Sequence, residues 1–300
     1  MYGFNVIEPI EVTDEVLTAS TFIESAPEWN ETETGYSLGS IVDHIGSIWE
    51  ATDDVGTGKE PGVDDDAWIR LGANNTMAMF DEFISTQSAA ENAGSAEITV
   101  PAGKRANCLY AENVDAVSAT VTVSSDAEGV IRQETKSLVD LYSTSMWEWL
   151  YNPIRRRRFV LFEGFLANPG DRIEFSVETY GGTVAVGDCV VGRAVRIGTT
   201  AFGGELGFVD FSAKARDELS GGFEIVERAF ARTGSFQVLC LAARRDAIWT
   251  ALEEARASRR VFVASDATRA TIINGLLTEA RQVVSYPNHD LLNISAESLA

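Results

Sequence analysis

Histidine is nearly missing from this chain of 300 residues: there are two, His44 and His289. Neither stands at a metal-ligand spacing or beside a Ser or Cys nucleophile motif, so zinc and triad chemistry find no support. Cysteine is scarce as well. Cys108, Cys189 and Cys240 are odd in number, widely spaced and set in apolar surroundings. They fit neither a zinc pattern nor a disulfide framework and read as buried reduced thiols. No apolar run approaches the roughly eighteen residues that span a bilayer. The N-terminus is acidic, without a basic stretch or a small-residue cleavage site, so neither a signal peptide nor membrane insertion is expected. Cations are outnumbered, 24 Lys and Arg against 45 Asp and Glu, for a net charge of −21, and lysine is rarer than arginine. Such a surface repels phosphate, and nucleic acid is not an expected partner. The acid-rich, lysine-poor balance fits a salty habitat or a GC-rich genome equally well.

Other enzymatic signatures are also thin. Gly56-Thr57-Gly58-Lys59 lacks the full phosphate-loop pattern and its strand-to-helix frame. Asp53-Asp54 and Asp64-Asp65-Asp66 carry oxygen ligands for Ca²⁺ without EF-hand spacing, and read first as a solvated acidic loop. No carboxylate pair stands out for glycoside hydrolysis, a geometry invisible in sequence. The expectation is a protein without catalytic residues, metal or cofactor.

What is present is concentrated between Glu24 and Phe83. Trp29, Tyr36, Trp49 and Trp68 are separated by short polar runs, with Gly39, Gly46, Gly56, Gly58, Pro61 and Gly62 at turn positions. Short strands joined by glycine turns bury little aliphatic surface, so a few large rings must supply the core. The outline is a tiny all-β aromatic-core module of about fifty residues, marginal alone.

The spacing is also a resemblance. Trp29, Tyr36-x-x-Gly39-x-x-Val42, Gly46-x-x-Trp49, Gly56, Pro61-Gly62 and Trp68 resemble the chitin-binding type of carbohydrate-binding module, families 5 and 12. In its sugar-binding members, exposed aromatics usually follow the Gly-x-x-Trp strand. Here that place is taken by Thr52-Asp53-Asp54-Val55, so the resemblance implies a scaffold kept and a sugar platform lost. The run Trp68 to Asp81 resembles the segment that follows such modules in structural proteins of tailed bacteriophages, and Ile10 to Ser20 resembles their start. Proteins of that kind continue into a β-sandwich and end in a further domain. The resemblance therefore implies a virion location in the tail, assembly in the host cytoplasm, and other phage tail proteins as partners.

The remainder reads in segments. Residues 1–23 form an N-terminal arm, with Thr13 to Phe22 a short amphipathic piece that Thr13 or Asp14 could cap as a helical turn. The arm docks on a neighbouring subunit or straps its own chain. From about Ser85 to Gly198 the apolar period is two: Val117, Ala119, Val121 and Val123, then Ile173, Phe175 and Val177. Strands at regular spacing with turn signals predict an antiparallel, jelly-roll-like sandwich. Trp147, Trp149 and Tyr151 alternate at strand spacing, as a face for glycan stacking or an interface. Arg155, Arg156, Arg157 and Arg158 follow, alternating faces if in a strand and paired with local carboxylates or with another subunit. From 199 to 300, strands flank one clear helix, Arg244 to Ala257, with Ile248, Leu252 and Ala255 on one face.

The expected architecture is mainly β and multi-domain: an arm (1–23), an aromatic β module (24–84), a β-sandwich (85–198) and a C-terminal α+β domain (199–300). The expected function is a structural part of a tailed-phage tail tip, baseplate or fibre-attachment region, acting in assembly and host attachment as a homo-oligomer, trimer or hexamer. The alternative is a carbohydrate-binding adhesin for host envelope glycans. Exposed aromatics favour the second and buried ones the first.

Overall fold

The structure is a computed structural model describing residues 3–299 apart from 34, 64–65, 141–144, 152–154, 217–222 and 285–286, with the side chains of 140, 149, 214–216 and 223–224 also left aside. The chain is mainly β and antiparallel. It divides into two compact units, Ile10–Val191 and Met1–Pro9 with Gly192–Ala300.

Strand β1 (Gly3–Pro9) belongs to the second of these, a barrel unit. The other, a sandwich unit, begins with β2 (Leu17–Ser20), β3 (Ile41–His44), β4 (Ser47–Ala51) and β5 (Trp68–Ala73). It continues with β6 (Ser88–Thr99), β7 (Ala106–Asp115), β8 (Ser118–Ser125), β9 (Gly129–Ser137) and β10 (Val139–Asp140). Helix α1 (Met146–Tyr151), β11 (Arg155–Arg156) and β12 (Phe159–Ala167) follow. Strand β13 (Arg172–Thr200) starts in the sandwich unit and ends in the barrel unit. The barrel unit then adds β14 (Glu205–Asp210), β15 (Ala213–Arg216), β16 (Phe223–Val226), β17 (Phe230–Leu241), α2 (Arg245–Glu254), β18 (Arg260–Val263), β19 (Ile272–Val283) and β20 (His289–Ser298).

In the sandwich unit the first part of β13 lies between β6 and β8, with Phe175 opposite Ala96 on one side and Val121 on the other. β2 extends this sheet beyond β6, and β9 beyond β8. After an irregularity between Glu178 and Thr183, where Gly181 and Gly182 take φ of 96° and 97°, β13 pairs β6 again, and it also pairs β7, whose other edge holds β12. Positive φ is what glycine supplies there, and the bend lets one strand serve both sheets. The alternating residues are the core: Ala119, Val121, Val123, Ile173, Phe175 and Val177 are all buried in one cluster with Phe22 and Phe162. Gly94 faces Phe22, and a Cβ there would overlap its ring. Between the sheets Lys136 donates to the Leu161 carbonyl at 2.6 Å with its ammonium over the Phe162 ring.

In the barrel unit β1 pairs the end of β13 on one edge and β18 on the other. The segment expected as an arm is thus an inner strand of its own chain, with Phe4 and Ile7 fully buried. The order β13–β1–β18–β19–β20–β17 returns to β13 through Thr199 opposite Leu239 and Thr200 opposite Val238. The result is a closed six-stranded antiparallel ring. Phe4, Phe236, Val238, Phe262, Ile273 and Leu292 fill it together with Ile248 and Leu252 of α2, as the helical spacing predicts.

One local expectation is met and another is corrected. The piece from Thr13 makes a single turn, with Val16 and Leu17 N–H both donating to the Thr13 carbonyl, and then enters β2. Its apolar residues are spent on the sandwich core, which a strand reaches as well as a helix does. The run 146–151 is helical, as described below.

Helix α2 is fixed by one buried charge. Asp290 is fully buried and accepts from Arg245 Nε at 2.8 Å and Nη2 at 3.0 Å, and from Gln282 Nε2 at 2.6 Å. The Trp249 indole donates to the other side of the Gln282 amide. Hydrogen bonding from Arg245 first, then its charge, holds the Asp290 carboxyl below its usual range against the cost of burial. A carboxyl whose pKa is depressed by folding stabilises above its unfolded pKa, and that stability is lost as pH falls through the lower folded value. Asp290→Asn is therefore expected to lower the urea midpoint at neutral pH and to flatten the acid limb of the midpoint-versus-pH curve. An unchanged acid limb would show that this pair does not govern acid stability.

Candidate functional site

The aromatic module is built on the three-stranded sheet β3–β4–β5. Ile45 and Gly46, with φ of 47° and 68°, join β3 to β4 by the two-residue turn whose twist suits a hairpin. The turn brings Val42 opposite Trp49, and Ala51 lies opposite Trp68. Trp68 is buried at 2% exposure, with Val42, Ala51 and Val55 around it and Trp29, Tyr36 and Trp49 packed against them, half-buried. Tyr36 meets Trp68 edge-on at 5.3 Å, and Trp29 meets His44 at 4.9 Å. The polar tips are used: Trp68 donates to the Lys59 carbonyl at 3.0 Å, Trp49 to the His44 carbonyl at 3.3 Å, and the Tyr36 hydroxyl accepts from Asn30 N–H at 2.8 Å. All four rings are spent on cohesion.

A polar joint that the sequence reading passed over ties this module to the sandwich. Glu24 accepts from the N–H groups of Ser25, Ala26 and Asn75. Burial pushes the Glu24 carboxyl up, and these donors outweigh it, so it sits below its ordinary value. The Asn75 side chain donates to the carbonyls of Ile23 and Ala89 and accepts from Ala89 N–H, while Thr76 donates to the Phe22 carbonyl. Asn74 donates to both oxygens of Asp43 at 3.0 Å. Burial, opposed by Asn74 and reinforced by Glu24, Asp14 and Glu28, leaves the Asp43 carboxyl raised. Asn74, Asn75 and Thr76 thus work as a joint. A signal was there in the Asn-Asn-Thr triplet, whose side chains satisfy loop backbone.

The exposed aromatics lie elsewhere. Met146 to Tyr151 is α1, a correction of the strand expected there. So short an aromatic run fits both periods, and the helix places Trp147 and Tyr151, four apart, on one face. They are 69% and 65% exposed, with ring centroids 4.1 Å apart and planes 36° from parallel. The Trp149 side chain lies outside the described residues. Of the arginine run, only Arg155 and Arg156 are in a strand, β11, paired with β10. Arg155, Arg156, Arg157 and Arg158 are all exposed. Arg156 meets Asp115 at 2.9 Å, a local ion pair, and Arg157 N–H donates to the Leu138 carbonyl.

Of the acidic candidates for cation binding, Asp64 and Asp65 lie outside the described residues. Among the described residues no three His, Cys, Asp or Glu side chains group to hold a metal ion, and no helix is long and apolar enough to cross a membrane. His44 instead meets Glu60 at 3.2 Å, within the module.

No protein-family model matches the chain, and no curated protein matches it. Among solved structures, chitosan-binding module 1 from a chitosanase/glucanase of Paenibacillus sp. IK-5 is similar, at 15% identity over 39% of this chain and 84% of that one, with a TM-score of 0.26. So slight a likeness carries no argument about this chain.

Because Trp68 is the module's largest buried ring, Trp68→Ala is expected to cost about 3–5 kcal/mol. In so small a module that is enough to open it. Limited proteolysis should then cut within residues 27–73 in the variant and leave the wild type whole. Equal resistance would show that the module does not rest on this ring.

Proposed function

We propose that this chain is a non-catalytic attachment protein that binds polysaccharide through the Trp147–Tyr151 face of its sandwich unit. One observation carries the reading. Two large rings lie side by side in solvent, while the module's aromatics are consumed by its core. Exposed rings cost burial that folding would otherwise gain, and flat apolar faces with polar edges suit the apolar face of a sugar ring. A second reading places the chain as a structural part of a tailed-phage tail tip, baseplate or fibre-attachment region. It is favoured by the Asn74–Thr76 joint, where the phage-like residues serve architecture. The two are compatible: an attachment protein on a virion needs both a rigid frame and a surface for the host envelope.

The test is retention on insoluble chitin, on a neutral β-glucan and on host envelope polysaccharide. It is run at high salt, where attraction of an acidic protein to a cationic polymer such as chitosan is screened. Trp147→Ala with Tyr151→Ala should weaken binding by about 2 kcal/mol, roughly 30-fold. Stability should change by less than about 0.5 kcal/mol, because both rings are exposed. Undiminished binding by the double variant, or no retention of the wild type on any of the three, would overturn the glycan reading.

A further inference from the structure

The barrel unit leaves part of its own core face uncovered. On β17, Phe236, Val238 and Cys240 point into the barrel. The same face continues through Gly234 and Arg232 to Phe230, and β14 sets Leu206 opposite Gly234 and Phe208 opposite Arg232. Strand alternation therefore puts Leu206, Phe208 and Phe230 on the core side. Yet they are 50%, 71% and 55% exposed, with the Phe208 and Phe230 rings edge-to-face at 6.3 Å. Every residue of β14 is exposed, and among the described residues the strand is hydrogen-bonded to β17 on one side only. Beyond it the hairpin continues as β15 paired with β16. This is an apolar arm with a free strand edge, a combination that invites another chain.

A matching surface lies at the other end of β17, on its opposite face. Leu239 and Leu241 are exposed there and floor a cavity of about 360 Å³ whose rim carries Arg196, Arg244 and His289. Among the described residues the lining has no carboxylate, in a chain of net charge −21. The arm carries exposed Glu205, Asp210 and Glu227 against exposed Arg228. Apolar surface and charge thus complement each other. The arm cannot fill its own groove. Phe230 and Leu241 are eleven residues apart on one strand, roughly 37 Å at about 3.4 Å per residue, and face opposite ways.

We propose that the exposed apolar face of one copy, Leu206 and Phe208 of β14 with Phe230 of β17, docks on the Leu239–Leu241 groove of a second copy. The contact is head to tail, each copy offering one arm and one groove, so it closes into a ring or runs on as a filament. It goes beyond the glycan reading and does not depend on it.

Sedimentation of the full chain over a range of concentrations tests this. The wild type should assemble. The arm variant Phe208→Asp and the groove variant Leu241→Asp/Arg244→Glu should each stay monomeric at concentrations at least about tenfold higher, with wild-type circular dichroism and an unchanged urea midpoint as folding controls. Because each variant keeps one intact surface, mixing the two should give a one-to-one dimer. Phe208→Tyr, which keeps the ring, should assemble. A wild type that stays monomeric throughout, or a folded Phe208→Asp that still assembles, overturns the proposal. A mixture that remains monomeric also overturns it, as does a groove variant that still assembles by itself, which points to an arm-to-arm contact.

Discussion

The barrel unit depends on a short piece of backbone pairing, where Thr199 and Thr200 of β13 meet Leu239 and Val238 of β17. Until that contact forms, β13 and β17 are edges of an open sheet with unpaired amide groups. Once it forms, six strands share their hydrogen bonds around a ring, and the interior can be filled from all sides by Phe4, Phe236, Phe262 and Leu292. Gly198 is what allows the approach: a Cβ there would meet the Leu239 carbonyl oxygen at 2.5 Å. Closure also decides what remains open. β13 occupies the edge of β17 near its C-terminal end, so β14 can pair only along the outer part, Phe230 to Ser235. The uncovered arm is the consequence of where the ring shuts.

Local pattern was legible in the sequence and distant pairing was not. The alternation of Ala119, Val121 and Val123, and of Ile173, Phe175 and Val177, records one buried face each, and the structure buries those residues. The spacing of Ile248, Leu252 and Ala255 records a helix face in the same way. Nothing local marks β1 as an inner strand, because its partners, such as Val263 opposite Asn5, come from the far end of the chain. The two glycines Gly181 and Gly182 look like a turn, yet β13 bends through them and goes on to Thr200. At Met146–Tyr151 the sequence is too short to choose a period, so the aromatics were readable as a surface but not as a helix. The arm and groove were not legible at all, since burial there depends on which strand covers which.

The same side-chain chemistry is used for opposite ends in the two halves of the sandwich unit. In the module, four aromatic rings replace the aliphatic core that short strands cannot build, and the polar tips of Trp68, Trp49 and Tyr36 are absorbed by backbone partners. On α1 the Trp147 and Tyr151 rings are exposed. The polar joint of Glu24, Asn74, Asn75 and Thr76 lies between module and sandwich, and every one of those side chains is tied to backbone or to Asp43. A joint saturated in this way holds one geometry, because moving it would break several part-buried hydrogen bonds at once.

Charge sets the last constraint. Copies of a chain at −21 repel one another, and the repulsion reaches about a Debye length, roughly 8 Å at physiological salt. Contact between copies therefore needs either salt or a place where the sign reverses. The groove rimmed by Arg196 and Arg244 is such a place, and it lies beside exposed leucines. Electrostatics of this kind contributes to register and encounter more than to affinity, which falls to the apolar rings. The two contributions respond oppositely to salt: screening weakens the attraction at the groove and also the repulsion between the remaining surfaces. For a small cationic rim on a strongly acidic body the second effect is the larger. Rising ionic strength should then favour assembly, which is also the direction in which an acid-rich surface suits a salty medium.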